Sequence, residues 1–169
     1  MLFNLTDKER KIFNYGILVG ELGAISRFND KTDHIYNFSL KLLPKLKTID
    51  DIMENIYIDV SAGYKLTEVE EQNSFKFFCD LLYDKWFYPY QDKDQYHLSD
   101  IGNNFSLYFK DWKREFVVDF VNLLLEALNP IKIYEIQYHN LKSYYASDYN
   151  EFLLECVGEV YHFKLLVSD

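Results

Sequence analysis

The stretch Asn150-Glu151-Phe152-Leu153-Leu154-Glu155-Cys156-Val157-Gly158-Glu159-Val160-Tyr161-His162-Phe163-Lys164-Leu165-Leu166-Val167 decides the fold. From Asn150 to Val157, Phe152, Leu154 and Cys156 fall on one face and Glu151 and Glu155 on the other. From Val160 to Val167, Tyr161, Phe163, Leu165 and Val167 share a face, with His162 and Lys164 opposite. Period two is the signature of a strand. A two-residue turn at Gly158-Glu159, with glycine where a II′ turn wants it, pairs Leu154 with Phe163 and Glu155 with His162. Both apolar sets then share one side of the hairpin, and a one-residue slip would part them. Ile131 to Tyr138 reads as a third strand.

Upstream, helices dominate the reading. Thr6-Asp7-Lys8-Glu9 is a capping box that opens a helix to about Phe28. Gly16, Gly20 and Gly23 lie on one face of it at roughly 1 kcal/mol each relative to alanine, which predicts close approach by another backbone. A second helix is expected over Asp33–Leu43, stopped by Pro44. A third starts near Thr48, with Asp50 and Asp51 in its first turn; it runs toward Ile58 unless 56–60 is a short strand. Thr67 with Glu68, Glu70 and Glu71 is read as opening a fourth helix through Phe75, Phe78, Leu82 and Tyr83. A hairpin near 86–98 and a helical stretch capped by Ser99 follow. The strongest helix, Lys110–Leu128, stripes Trp112, Phe116, Phe120, Leu123 and Leu124 and ends at Asn129-Pro130. The expected fold class is therefore α+β, in one domain over 1–169. Residues 1–130 are mostly helical, and this helix-rich two-thirds packs on a three-stranded antiparallel meander over 131–169.

The chain has 169 residues, 49% of them apolar and 18% aromatic. A chain of that size buries roughly 70% of its unfolded surface, so its core needs no metal or disulfide staple. Net charge is −9. That excludes a general phosphate binder and a basic membrane-docking surface, so neither nucleic acid nor membrane is expected as a partner. The imbalance is local: residues 1–47 carry +3, residues 48–100 carry −8, and residues 101–169 carry −4. The first ten residues turn charged before an apolar leader can form, and Ile12–Ile25 is too short to span a bilayer. Cys79 and Cys156 read as free thiols in preference to a disulfide. The expected compartment is the cytoplasm.

No motif declares catalysis. His34, His97, His139 and His162 form no metal-ligand spacing, and Cys156 and His162 point to opposite faces of the hairpin, so no metal or cofactor is expected. His162 is assigned to Glu155 across the strands. Asp80 with Asp84, and Glu115 with Asp119, read as solvated helix pairs. Ser99-Asp100 near His97 lacks a nucleophile elbow, and the serine suits a cap. Runs such as Phe87-Tyr88-Pro89-Tyr90 and Tyr144-Tyr145-Ala146-Ser147-Asp148-Tyr149 set tyrosines beside carboxylates, the composition of interface anchors.

Two resemblances bear on function. Tyr96-His97-Leu98-Ser99-Asp100-Ile101-Gly102 resembles the strand that closes the wing of winged-helix transcription regulators. The acidic residues before it oppose DNA contact, so this alternative implies a regulator or adaptor acting on protein. A small, acidic, tyrosine-rich chain ending in a meander to Val167-Ser168-Asp169 resembles bacterial toxin-immunity proteins, a likeness of size, charge and architecture. It implies a one-to-one complex with a cognate toxin domain, a basic nuclease, and no enzymatic activity. The residues expected to make the contact are Asp50, Asp51, Glu54, Glu68, Glu70, Glu71, Asp92 and Asp94, with Tyr88 and Tyr90 as anchors and Tyr144, Tyr145 and Tyr149 as a second group. An enzyme with a motif-free site is the other alternative.

Overall fold

The computed structural model describes residues 5–29, 34–44, 48–57, 59–87 and 109–169, with Glu71 and residues 109–112 described by their backbone alone. Of the expected hairpin near 86–98, Trp86 instead ends a π-helical turn and Phe87 caps it, while residues 88–98, the wing-like Tyr96–Gly102 stretch and the Ser99 cap lie outside the described residues.

Helix α1 (Asp7–Asn29) starts on the capping box. The Thr6 amide and hydroxyl donate to Glu9 Oε2 at 2.9 and 2.7 Å, and the Glu9 amide returns a 3.3 Å bond to Thr6 Oγ1. Strand β1 (Ile35–Leu42) comes next, then helix α2 (Ile49–Tyr57) and strand β2 (Ser61–Val69). A 3₁₀ turn at Glu71–Asn73 leads into helix α3 (Ser74–Asp80), which continues as a π-helical turn, Leu81–Trp86. Helix α4 (Phe109–Leu128) precedes β3 (Lys132–Leu141), β4 (Asp148–Cys156) and β5 (Glu159–Ser168). Asn129 closes α4 with a positive φ of 46° and a 2.9 Å bond from its amide to the Leu125 carbonyl, a left-handed C-terminal cap.

The sheet corrects the expected fold class. It has five antiparallel strands in the order β1-β5-β4-β3-β2. The three C-terminal strands form its middle, and its edges come from the half of the chain read as helical. Segment 35–42 was expected to be helical. Its Tyr36, Phe38, Leu40 and Leu42 alternate with Asn37, Ser39 and Lys41, a period that suits β1 beside β5, with Leu40 opposite Phe163. Thr67 and Glu68 do not open a helix either. They continue β2, where Thr67 faces Glu135 and Glu68 faces Tyr134, and the ladder to β3 outweighs the helix-dipole advantage of early carboxylates.

The β4–β5 hairpin keeps the expected faces but turns one residue earlier. Cys156 faces Glu159, Leu154 faces Tyr161 and Leu153 faces His162, so Val157-Gly158 is the turn. Gly158 has φ +77°, placing the positive φ at the second central position, as in a type II turn.

One sheet face supports α1, α3 and α4. Phe78 of α3 meets Phe152 edge-on with centroids 5.1 Å apart, and Phe152 stacks on Phe163 at 5.9 Å. Leu18, Leu22 and Ile25 of α1 and Val117, Phe120, Val121 and Leu124 of α4 complete this core, which takes in a large share of the chain's aromatic rings. A second, smaller core lies on the other face, where Ile52 and Met53 of α2 pack on Ile136, Tyr138 and Leu153. The three glycines of α1 were expected to admit a neighbouring backbone. A Cβ built on Gly16, Gly20 or Gly23 meets nothing within 4 Å, so the described residues make no such approach.

Candidate partner-binding surface

Helix α2 is held by a reciprocal cap: the Thr48 amide donates to Asp51 Oδ2 at 3.0 Å and the Asp51 amide to Thr48 Oγ1 at 3.1 Å. Its inner side, Ile52 and Met53, is buried against the sheet. The nine residues Ile49–Tyr57 contain three acids and no base. Asp50 and Glu54 are exposed one turn apart. Like charges at that spacing oppose each other slightly, so their mutual interaction does not favour α2. Asp50 accepts a 3.2 Å bond from the Tyr64 hydroxyl, which ties the helix to β2; the Tyr64 ring lies 4.7 Å from Tyr57. Burial, then the bond to Asp50, raises the Tyr64 phenol above its ordinary pKa.

Glu68 lies on the same face of β2 as Tyr64, four residues along and so about 13 Å away. Glu70 follows the strand and accepts bonds from Gln72 at 3.2 Å and Asn73 at 3.0 Å, while Glu71 sits in the 3₁₀ turn. The structure thus lays Asp50, Asp51, Glu54 and Glu68 along the face that carries α2, with Glu70 at its end. Tyr88, Tyr90, Asp92 and Asp94 lie outside the described residues.

The second tyrosine group divides. Tyr144 is 66% exposed, whereas Tyr145 and Tyr149 are half-buried and form a ring cluster with Tyr138, centroids 5.5 to 5.6 Å apart. This cluster closes over Glu151, which is wholly buried. Glu151 Oε2 takes a 3.0 Å bond from Tyr138 and lies 2.6 Å from His162 Nε2; Oε1 accepts from the Tyr145 hydroxyl. The Tyr149 hydroxyl in turn accepts from the Tyr138 amide at 3.1 Å. The expected His162–Glu155 pair is therefore replaced by His162–Glu151, a diagonal contact across β4 and β5.

Burial alone would raise the Glu151 carboxyl. The bonds and charge of His162, with those of Tyr145 and Tyr138, outweigh it and hold the pKa below the ordinary carboxylate range. Burial raises both phenols, followed by the Glu151 charge beside them, so they remain donors. Enclosed and bonded on both oxygens, this carboxylate is placed to fix the sheet face rather than to meet a substrate. Period-two faces were legible from the residues but this cluster was not, because Glu151 looks like an ordinary outward residue of a half-exposed strand.

Among the described residues, no group of three His, Cys, Asp or Glu side chains is arranged to hold a metal ion. None of the described helices is long and apolar enough to cross a membrane. Cys79 and Cys156 are free thiols, the latter pushed up to about 11, chiefly by burial. In comparisons with known proteins, no family model, curated protein or solved structure matches the chain.

Proposed function

We propose that this protein is an immunity protein: it binds a cognate toxin domain, a basic nuclease, one domain per chain in the cytoplasm, and neutralises it by covering its active site or the surface beside it. The observation that carries this reading is α2. An outer side whose only charges are acidic, Asp50 and Glu54 exposed, rests on an inner side that buries Ile52 and Met53 and is fixed to β2 through Tyr64. Such a helix offers carboxylates at low reorganisation cost to a site shaped for phosphate. Electrostatic steering by the local negative charge would speed encounter. Glu68 and Glu70 extend the same field.

The test is growth rescue and binding kinetics with the toxin domain encoded beside the gene. Wild type should protect and bind. Reversing Glu54 and Glu68 to lysine, both exposed and neither used to anchor α2, should slow association about tenfold or more at low salt and leave the fold intact. Equal protection by wild type and the reversed variant would remove this surface from the interface. A wild type that neither binds nor protects would remove the immunity reading.

A further inference from the structure

Helix α1 is apolar on two sides. Leu18, Leu22 and Ile25 face the core and are buried. At 100° per residue the opposite side carries Gly16, Gly20 and Gly23, flanked by Ile12 and Val19 on one hand and Phe13 on the other. Ile12 is 62% exposed, Phe13 59% and Val19 42%. A helix apolar on two sides is expected to be covered on both, and among the described residues nothing lies within 4 Å of a Cβ built on its three glycines.

We propose that the outer face of α1 is the contact between two copies of this chain, their α1 helices packed antiparallel about a two-fold axis. Charge selects this occupant. Glu9 and Arg27 lie 18 residues, or five full turns, apart, so both fall on the glycine side at opposite ends of the uncharged strip. A two-fold interface must be self-complementary. With the helices antiparallel and centred at Leu18, Glu9 of each copy meets Arg27 of the other, and Gly16 meets Gly20. Phe13 then lies over the bare backbone at Gly20 and Gly23. A parallel arrangement would set Glu9 against Glu9 and Arg27 against Arg27. The bonds from Thr6 to Glu9 both fall on Oε2, so the cap and the pairing are compatible.

The contact runs about 27 Å, the length of 18 helical residues, and is smaller than the roughly 1,200 Å² or more of a standard interface. The dimer is accordingly of the weak, concentration-dependent kind. It occupies the helical side of the sheet and leaves α2, on the opposite face, open.

Sedimentation of the full chain from low micromolar to several hundred micromolar tests this, independently of any toxin. The expected mass rises from one copy to two. Gly20→Leu is a better helix former at an unobstructed position, so it should keep or raise the melting temperature while holding the backbones apart and leaving the chain monomeric. Arg27→Glu should weaken the dimer about fivefold, two copies of the ion pair being lost, and Glu9→Gln, which keeps a capping side chain for Thr6, should weaken it as well. A wild type that stays monomeric throughout, a Gly20→Leu chain that dimerises like wild type, or an Arg27→Glu chain that dimerises as well as wild type would each overturn the proposal. So would a monomer whose α1 face is shielded from hydrogen exchange only when a basic nuclease domain is added.

Discussion

His162 Nε2 lies 2.6 Å from Glu151 Oε2, one strand across and two residues along, and the carboxylate it meets is wholly enclosed. Three side chains therefore direct donors at one buried acid. Removing the acid leaves them facing each other without an acceptor. Glu151→Ala is expected to cost about 3 kcal/mol or more, read as a shift in the denaturant midpoint, and Tyr145→Phe about 1.5 kcal/mol. A Glu151→Ala midpoint near that of wild type would show the cluster to be energetically idle.

The same cluster sets the pH range of stability. The folded Glu151 carboxyl has a lowered pKa, so on acidification the unfolded chain takes up its proton first. Its contribution is whole at neutral pH, begins to fall near the unfolded value of about 4.3, and is gone once pH passes the lower folded value. Tyr138 and Tyr145 act at the other end. Their raised folded pKa makes their contribution whole below about pH 10 and lost as pH climbs toward the folded values. Melting temperature should thus fall on an acid limb and on an alkaline limb, and Glu151→Gln should flatten the acid one. An unchanged acid limb in that variant would contradict the assignment.

Gly158 carries the hairpin turn at φ +77°. Gly158→Asn should be tolerated, since asparagine visits left-handed backbone with little penalty, whereas Gly158→Val should cost about 1–2 kcal/mol. Val157 beside it is 79% exposed, so Val157→Ala should change the melting temperature little. If Gly158→Val and Val157→Ala melt together, the turn is misplaced.

Gly16 sits mid-helix with open space where a Cβ would go. Gly16→Ala should stabilise the chain by about 0.5–1 kcal/mol through helix propensity and a less flexible unfolded state. Thermal unfolding at dilution checks this, and a loss of stability would reveal a hidden contact.

What was legible in the sequence follows from where the physics is local. The Thr6–Glu9 box, the stop at Asn129-Pro130 and the two faces of β4 and β5 depend on residues a few positions apart, and all three stand in the structure. β1 was legible too: Tyr36-Asn37-Phe38-Ser39-Leu40-Lys41-Leu42 alternates as regularly as β5, but a proline stop drew the reading to a helix. β2 was harder, because Thr67-Glu68 before Glu70-Glu71 looks like a helix start and only the ladder to β3 decides otherwise. The Glu151 cluster depends on Tyr138, Tyr145 and His162 converging from three segments, and no local spacing encodes that. Of the candidate surface, the acidic character of α2 was visible, while its anchoring by Tyr64 was not.

The order of strands also dictates when the molecule can be completed during synthesis. β1 bonds within the sheet to β5, and their paired residues are separated by about 120 residues or more of chain. A growing polypeptide therefore carries β1 with its apolar Tyr36, Phe38 and Leu40 side unpaired until β5, about 120 residues later, has been made. Long-range pairings of this kind slow folding and leave an open strand exposed to other chains meanwhile. Removing the ten residues of β5 would deprive β1 of its ladder and turn β4, now central, into an edge. A nonsense or frameshift change that removes β5 should thus yield insoluble protein rather than a slightly shortened functional one.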